Sequence, residues 1–183
     1  MNKRQQKLSA RRAKVFVGSS VESLDVAYAI QENLERDAEI TVWPQGVFDL
    51  SRSTVQSLTK TLIASDFGIF VFAPNDTLRL RKKTYAAVRD NVLFELGMFV
   101  GRLGVERTFI VVPRNSDDLR IPTDLIGVTP GEYDAQRDVE NLTAALGPVC
   151  NKIRRAMKET VAGERTTSWN RIVSGHALRN AVS

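Results

Sequence analysis

The chain has 183 residues, 43% of them hydrophobic and 26% charged, the balance of an ordinary globular domain long enough to bury one sizeable core. A single cysteine and a single histidine, Cys150 and His176, exclude an internal disulfide framework and a Cys/His metal site. No apolar run approaches the roughly 20 residues of a membrane span. The net charge of +5 is concentrated at one end: Lys3, Arg4, Lys7, Arg11, Arg12 and Lys14 lie in residues 1–14 without an acid. Taking those six from the 26 basic residues leaves 20 against 21 acids. A basic arm of this kind could touch nucleic acid or an acidic membrane surface, but a solvated lead-in is the plainer expectation. Nucleic acid is not an expected partner, because the rest of the chain carries no basic stripe interleaved with aromatics. The start lacks the apolar stretch of a secretory signal, so the expected location is cytoplasmic.

In chain order, Lys14-Val15-Phe16-Val17-Gly18 reads as a short buried strand. Ser19 or Ser20 follows as a candidate helix N-cap, and the helix runs through Ala27, Ile30 and Leu34. Ile40-Thr41-Val42-Trp43 is the second strand, stopped by Pro44-Gln45-Gly46. After a loop through Phe48 and Leu50, Ser51 or Ser53 could cap a helix carrying Val55, Leu58, Leu62 and Ile63. Phe67 to Ala73 reads as a strand buried on both faces. A polar, basic loop (Arg79, Arg81, Lys82, Lys83) then leads to a long helix from about Ala86 to Leu103. Thr108 to Val112 is a fourth strand, closed by Pro113. Gly131-Glu132-Tyr133 reads as a short edge strand, and the last helix runs from about Val139 to Met157. The alternation predicts an α/β fold with a parallel sheet, right-handed crossovers and helices on both faces. In such folds ligands bind beyond the carboxyl ends of the strands: here Gly18-Ser19-Ser20, Trp43-Pro44-Gln45, Ala73 to Asp76, and Val112-Pro113-Arg114.

The chain has no G-x-G-x-x-G after the first strand, no G-x-x-x-x-G-K-[ST] loop and no G-x-S-x-G elbow. Standard Rossmann hydride transfer, P-loop hydrolysis and serine hydrolase chemistry are therefore not expected. The helix around Glu95 says more. At about 100° per residue, Val88, Val92, Leu96, Phe99 and Leu103 form one apolar stripe, and Asn91, Glu95, Met98 and Arg102 form the next. Glu95 is placed at the edge of the buried face, where partial desolvation tends to raise a carboxyl pKa. A carboxylate so held could receive sugar hydroxyls or stabilise a developing positive charge. An ion pair with Arg102 or Arg89 on the helix surface is the competing explanation, and the pattern alone leaves both open.

Four segments in series carry a family resemblance: Val15-Phe16-Val17-Gly18-Ser19-Ser20, Val42-Trp43-Pro44-Gln45-Gly46-Val47-Phe48, Phe70-Val71-Phe72-Ala73-Pro74-Asn75-Asp76, and Arg89-Asp90-Asn91-Val92-Leu93-Phe94-Glu95-Leu96-Gly97. The series resembles the bacterial TIR-like family of predicted nucleotide-binding proteins, as in TIR–STING and cyclic-nucleotide-triggered antiphage effectors, over residues 14 to 158. The resemblance implies a flavodoxin-like TIR fold with a five-stranded parallel sheet. It also implies an NAD⁺ nucleosidase that splits the nicotinamide–ribose bond to give nicotinamide and ADP-ribose or a cyclic ADP-ribose. Glu95 matches the family's essential glutamate. NAD⁺ is then the substrate, with no further cofactor and no metal.

Supporting roles are assigned as candidates. Gly18, Ser19 and Ser20 could turn backbone N–H groups to pyrophosphate or ribose, although Ser20 could simply cap a helix. Trp43 or Phe48 could stack on a base or on nicotinamide, with core packing the favoured role of Trp43. Asp76 could face the nicotinamide, or be an ordinary turn residue. Asn91 could orient Glu95 across one helical turn. The resemblance further implies self-association, with the loop Pro44 to Leu50 completing a neighbour's site. Residues 1–13 are expected as a basic tail, 14–158 as the domain and 159–183 as a polar tail or linker remnant. That tail is too short for a sensing domain, which leaves open a stand-alone protein, a subunit activated by a separate sensor protein, or a piece of a longer effector. The competing functions are a non-catalytic TIR-type scaffold and a nucleoside deoxyribosyltransferase-like enzyme.

Overall fold

Short β-branched and aromatic runs build the sheet, and amphipathic helices cover it. The computed structural model describes residues 11–43, 54–80, 83–116, 119–121, 129–137 and 141–180. The strands are β1 (Ala13–Gly18), β2 (Ala38–Trp43), β3 (Phe67–Val71), β4 (Asp76–Leu80), β5 (Lys83–Ala87), β6 (Thr108–Pro113), β7 (Leu119–Arg120) and β8 (Gly131–Tyr133). The helices are α1 (Leu24–Leu34), α2 (Thr54–Ala64), α3 (Asp90–Leu103) and α4 (Leu142–Asn180). Five strands form one sheet in the order β2-β1-β3-β6-β8, and every pairing in it is parallel. This is the expected parallel α/β architecture. The order reverses between β1 and β3, the place where such sheets open a crevice for ligands.

Strand alternation sorts the core into two layers. Val15, Val17, Phe67, Ile69, Val71 and Val111 face α1 and α4, against Ile30, Leu34, Leu146 and Val149. Phe16, Phe70, Phe72, Ile110 and Val112 face α2 and α3, against Leu58, Leu62, Val92, Leu96 and Phe99. The second layer is aromatic at its centre. Phe16 stacks on Phe99 at 4.6 Å between ring centroids and lies 5.7 Å from Phe70, which meets Phe99 edge-on at 5.3 Å. Each such pair adds about 0.5–1.5 kcal/mol beyond the area it buries. Gly68 makes room for this cluster, since a Cβ there would stand 2.7 Å from Phe99 Cδ1.

Three expectations need correction. Residues 76–80 and 83–87 form an antiparallel hairpin, in register from Asp76↔Ala87 to Leu80↔Lys83, where the sequence reads as a basic loop entering a helix. β7 pairs parallel to β5 through Ala86↔Leu119 and completes a separate three-stranded sheet. The long helix therefore starts at Asp90, not Ala86. Alanines favour helix locally, but the strand partner at residue 119 overrides that weak preference. The last helix also continues to Asn180, through a stretch read as a polar tail. Among the described residues no helix is long and apolar enough to cross a membrane.

Candidate active site

Helix α3 brings its one buried acid to the end of the innermost parallel pair. Its apolar residues Val92, Leu96 and Phe99 recur at helical spacing and pack down onto the sheet, and Glu95 shares that buried face. Asp90 in the first turn and Arg102 in the last complement the helix dipole. Gly104, at φ 84°, ends the helix with its N–H donating to the Val100 carbonyl at 3.0 Å. Glu95 is 4% exposed. Its carboxylate lies against the last residue of β1: a Cβ added to Gly18 would stand 2.9 Å from Glu95 Oε2. Glu95 is therefore not a residue of the helix surface, where Arg102 is exposed. A charge taken out of water at this position strengthens any electrostatic contact it makes with a ligand.

Past Gly18, the loops after β1 and β3 meet. Ser19 and Ser20 are buried at the end of β1, and among the described residues Ser19 Oγ has no hydrogen-bond partner. Ser20 precedes a 3-10 turn, Val21–Ser23, and makes no side-chain capping bond to it. Instead the Ser20 hydroxyl donates to Asn75 Oδ1 at 3.0 Å, and the Ser23 hydroxyl reaches the same oxygen at 3.2 Å. Asn75 is delivered by a tight turn after β3, in which its N–H bonds the Ala73 carbonyl at 2.8 Å. That two-residue closure is a γ-turn, and the central Pro74 suits it because its φ is fixed near −65°. Simple helix capping thus does not account for Ser20.

A second polar group lies at the head of α3. Arg89, the residue before the helix, donates through Nη1 to Asp76 Oδ1 at 3.1 Å and Oδ2 at 3.3 Å, and through Nη2 to Glu22. The hydrogen bond from Arg89 holds the Glu22 carboxyl below its ordinary range, and that same bond raises the Arg89 guanidinium.

The candidate residues separate as follows. Glu95, Gly18, Ser19 and Ser20 gather at the β1–α3 junction. Asp76 opens β4 with its carboxylate on Arg89 rather than free as a turn residue. Asn91 is exposed, one turn before the buried Glu95. Trp43 is half-buried, its ring 6.2 Å from Phe16, and packs on the core as favoured. Phe48 and the Pro44–Leu50 loop lie outside the described residues, as do Ser51 and Ser53. Ser23, Asn75 and Glu22 were not singled out from sequence, and Arg89 was weighed only as an ion-pair partner for Glu95. Asn75 stands in a quoted strand-end segment, and that was the only signal available for it. A hollow of about 470 Å³ lined by Val105, Phe109, Gly131, Val149 and Ile153 lies at the opposite, amino-terminal end of β6 and β8; it belongs to a different face from Glu95. Among the described residues no three His, Cys, Asp or Glu side chains gather as a metal site.

A parallel sheet in this order, with helices on both faces, defines a flavodoxin-like α/β domain. The fold has a counterpart in the flavodiiron core of Flv1 from Synechocystis, at a TM-score of 0.50 and 14% identity over 85% of this chain and 39% of that one. The family model described as the TIR domain of CAP12/Pycsar effector proteins matches residues 14–135, and the chain belongs to that family. It is 43% identical over 141 residues to the Pycsar effector protein PaPycTIR of Pseudomonas aeruginosa, covering 76% of this chain and 46% of that protein. It is 38% identical to the Pycsar effector protein BcPycTIR of Burkholderia cepacia, covering 83% and 50%. With the CD-NTase-associated protein 12 of a Lachnospiraceae bacterium it shares 31% identity, covering 82% and 48%. The chain spans about half the length of these curated relatives.

Proposed function

We propose that this chain is an NAD⁺ nucleosidase, cleaving the bond between nicotinamide and ribose to release nicotinamide and ADP-ribose or its cyclic form. The observation that carries the proposal is Glu95, buried to 4% exposure and lying against Gly18 at the carboxyl end of β1. Departure of nicotinamide leaves positive charge on the ribose, in a transition state like that of glycoside hydrolysis. A carboxylate fixed beforehand in a water-poor site stabilises that charge without reorganising. The C–N bond breaks with its electron pair going to nicotinamide, which departs as a neutral base and needs no general acid; water, losing a proton, adds to the ribose carbon to give ADP-ribose, or an adenine nitrogen of the same molecule adds to give the cyclic form. Glu95 is the catalytic residue of this scheme. Gly18 permits close approach to β1, and Ser19 and Ser20 are assigned to the sugar or pyrophosphate. NAD⁺ serves as substrate, and no further cofactor enters.

The two relatives named as effector proteins support an effector role in antiphage defence, and the name of the CD-NTase-associated relative supports a separate sensing partner. Self-association of TIR domains, with the Pro44–Leu50 loop reaching a neighbouring chain, is the proposed route to activity. The test is nicotinamide release from NAD⁺ at high protein concentration or with chains forced to cluster. Turnover that vanishes in Glu95→Gln supports the proposal. No turnover in clustered wild type would favour the scaffold reading, and base release from deoxynucleosides would favour the transferase reading.

A further inference from the structure

We infer that Arg89 is a positioning residue for Glu95, clamping the segments that leave β1 and β3 to the head of α3. This rests on the NAD⁺-cleaving reading. Arg89 immediately precedes α3, and Glu95 follows it by six residues, roughly 9 Å along the helix axis. Its guanidinium grips Asp76, which opens β4, and Glu22, in the turn after β1. Each acid sits beside a residue of the serine–asparagine cluster: Asp76 next to Asn75, and Glu22 next to Ser23, whose hydroxyl meets Asn75 Oδ1. One planar cation therefore ties the segments after β1 and β3 to the start of the helix that carries Glu95. Arginine suits this task because its fixed fork binds two partners at once in set directions.

Two observations favour positioning over direct substrate binding. Glu22, Asp76 and Arg89 together carry one net negative charge, a poor receptor for a pyrophosphate. Both terminal nitrogens of Arg89 are already engaged. Nor is the cluster a stability device in the first instance. The three side chains are 41–46% exposed, and ion pairs so open to solvent contribute little to folding. Their effect is to fix directions. On this reading Asp76 serves the site through Arg89 and not by touching nicotinamide.

The test compares Arg89→Gln, the pair Glu22→Gln/Asp76→Asn, and all three changes together, each checked for wild-type thermal unfolding. A misplaced glutamate lowers turnover without weakening uniform binding. The expected result is a fall in kcat of about 10- to 100-fold with KM within about twofold. The acid pair should match Arg89→Gln, and the triple variant should lose nothing more, the signature of residues acting as one unit. A raised KM with unchanged kcat in Arg89→Gln would overturn the inference in favour of direct contact with substrate. So would an acid pair that keeps full kcat. Amide hydrogen exchange tests the clamp without any reliance on activity. Arg89→Gln should speed exchange in both 20–23 and 75–77, and unchanged exchange there would overturn the clamp whether or not wild type cleaves NAD⁺.

Discussion

Gly18 and Glu95 are in contact across the β1–α3 junction, so closely that a Cβ on Gly18 would stand 2.9 Å from Glu95 Oε2. The same Cβ would stand 2.9 Å from Phe16 Cε1 and from Phe70 Cδ1. Both rings are fully buried and cannot step aside cheaply. Gly18→Ala should therefore cost about 1–3 kcal/mol of stability by overpacking. It should also push the carboxylate off its position. Denaturant unfolding measures the first effect. Turnover measured where the variant is fully folded measures the second, and it should fall at least about tenfold, the scale expected when a catalytic group is misplaced.

Gly97 is the opposite case, two residues beyond Glu95. A Cβ there would meet nothing within 4 Å, and the residue is exposed within α3. Gly97→Ala should stabilise the protein by about 0.5–1 kcal/mol through helix propensity and the unfolded chain's lost freedom. Its denaturation midpoint should rise and its activity should match wild type.

Phe99 supports the floor beneath the site, stacked on Phe16 at 4.6 Å and fully buried. Phe99→Ala should cost about 3–5 kcal/mol, measured by urea unfolding. Phe99→Leu keeps most of the volume and should cost less, within about 1–3 kcal/mol.

Asp37 anchors α4 to the end of α1. Its Oδ2 accepts a hydrogen bond from Arg154 Nε, and its Oδ1 forms an ion pair with Lys158 Nζ at 3.3 Å. Burial pushes the Asp37 carboxyl up, but Arg154 and Lys158 outweigh it and hold the group below its ordinary value of 3.8. A lowered folded-state pKa gives stability that is complete above the unfolded value and is lost as pH falls through the folded one. Arg154→Ala should destabilise by about 1–3 kcal/mol at neutral pH. The deficit should shrink below about pH 4, where Asp37 gains its proton in the unfolded chain. Unfolding midpoints at pH 7 and pH 3 check this.

Strands β1, β2, β3 and β6 were legible because each is a short apolar run closed by glycine or proline. Helical phase sufficed to place Glu95 at the edge of the buried face. The hairpin of β4 and β5 was not legible. Its basic residues look like a loop, its alanines look like a helix start, and its third strand comes from Leu119–Arg120. The last helix escaped notice beyond Met157 because Val161 is the last of the described residues there that packs on the core, and the sequence after it loses regular apolar spacing. The polar cluster at the strand ends was hidden for a different reason. Ser20 and Asn75 are 55 positions apart, and Arg89 and Glu22 are 67 apart. Only the strand order brings them together, and no local pattern encodes that meeting.

The most direct test of the account is NAD⁺ cleavage by the clustered wild-type chain beside Glu95→Gln, followed as nicotinamide released per protein. The substitution keeps the shape of the side chain and removes its charge. The account predicts turnover in wild type and none above background in Glu95→Gln, with the variant still folded. Equal turnover in the two proteins would contradict it.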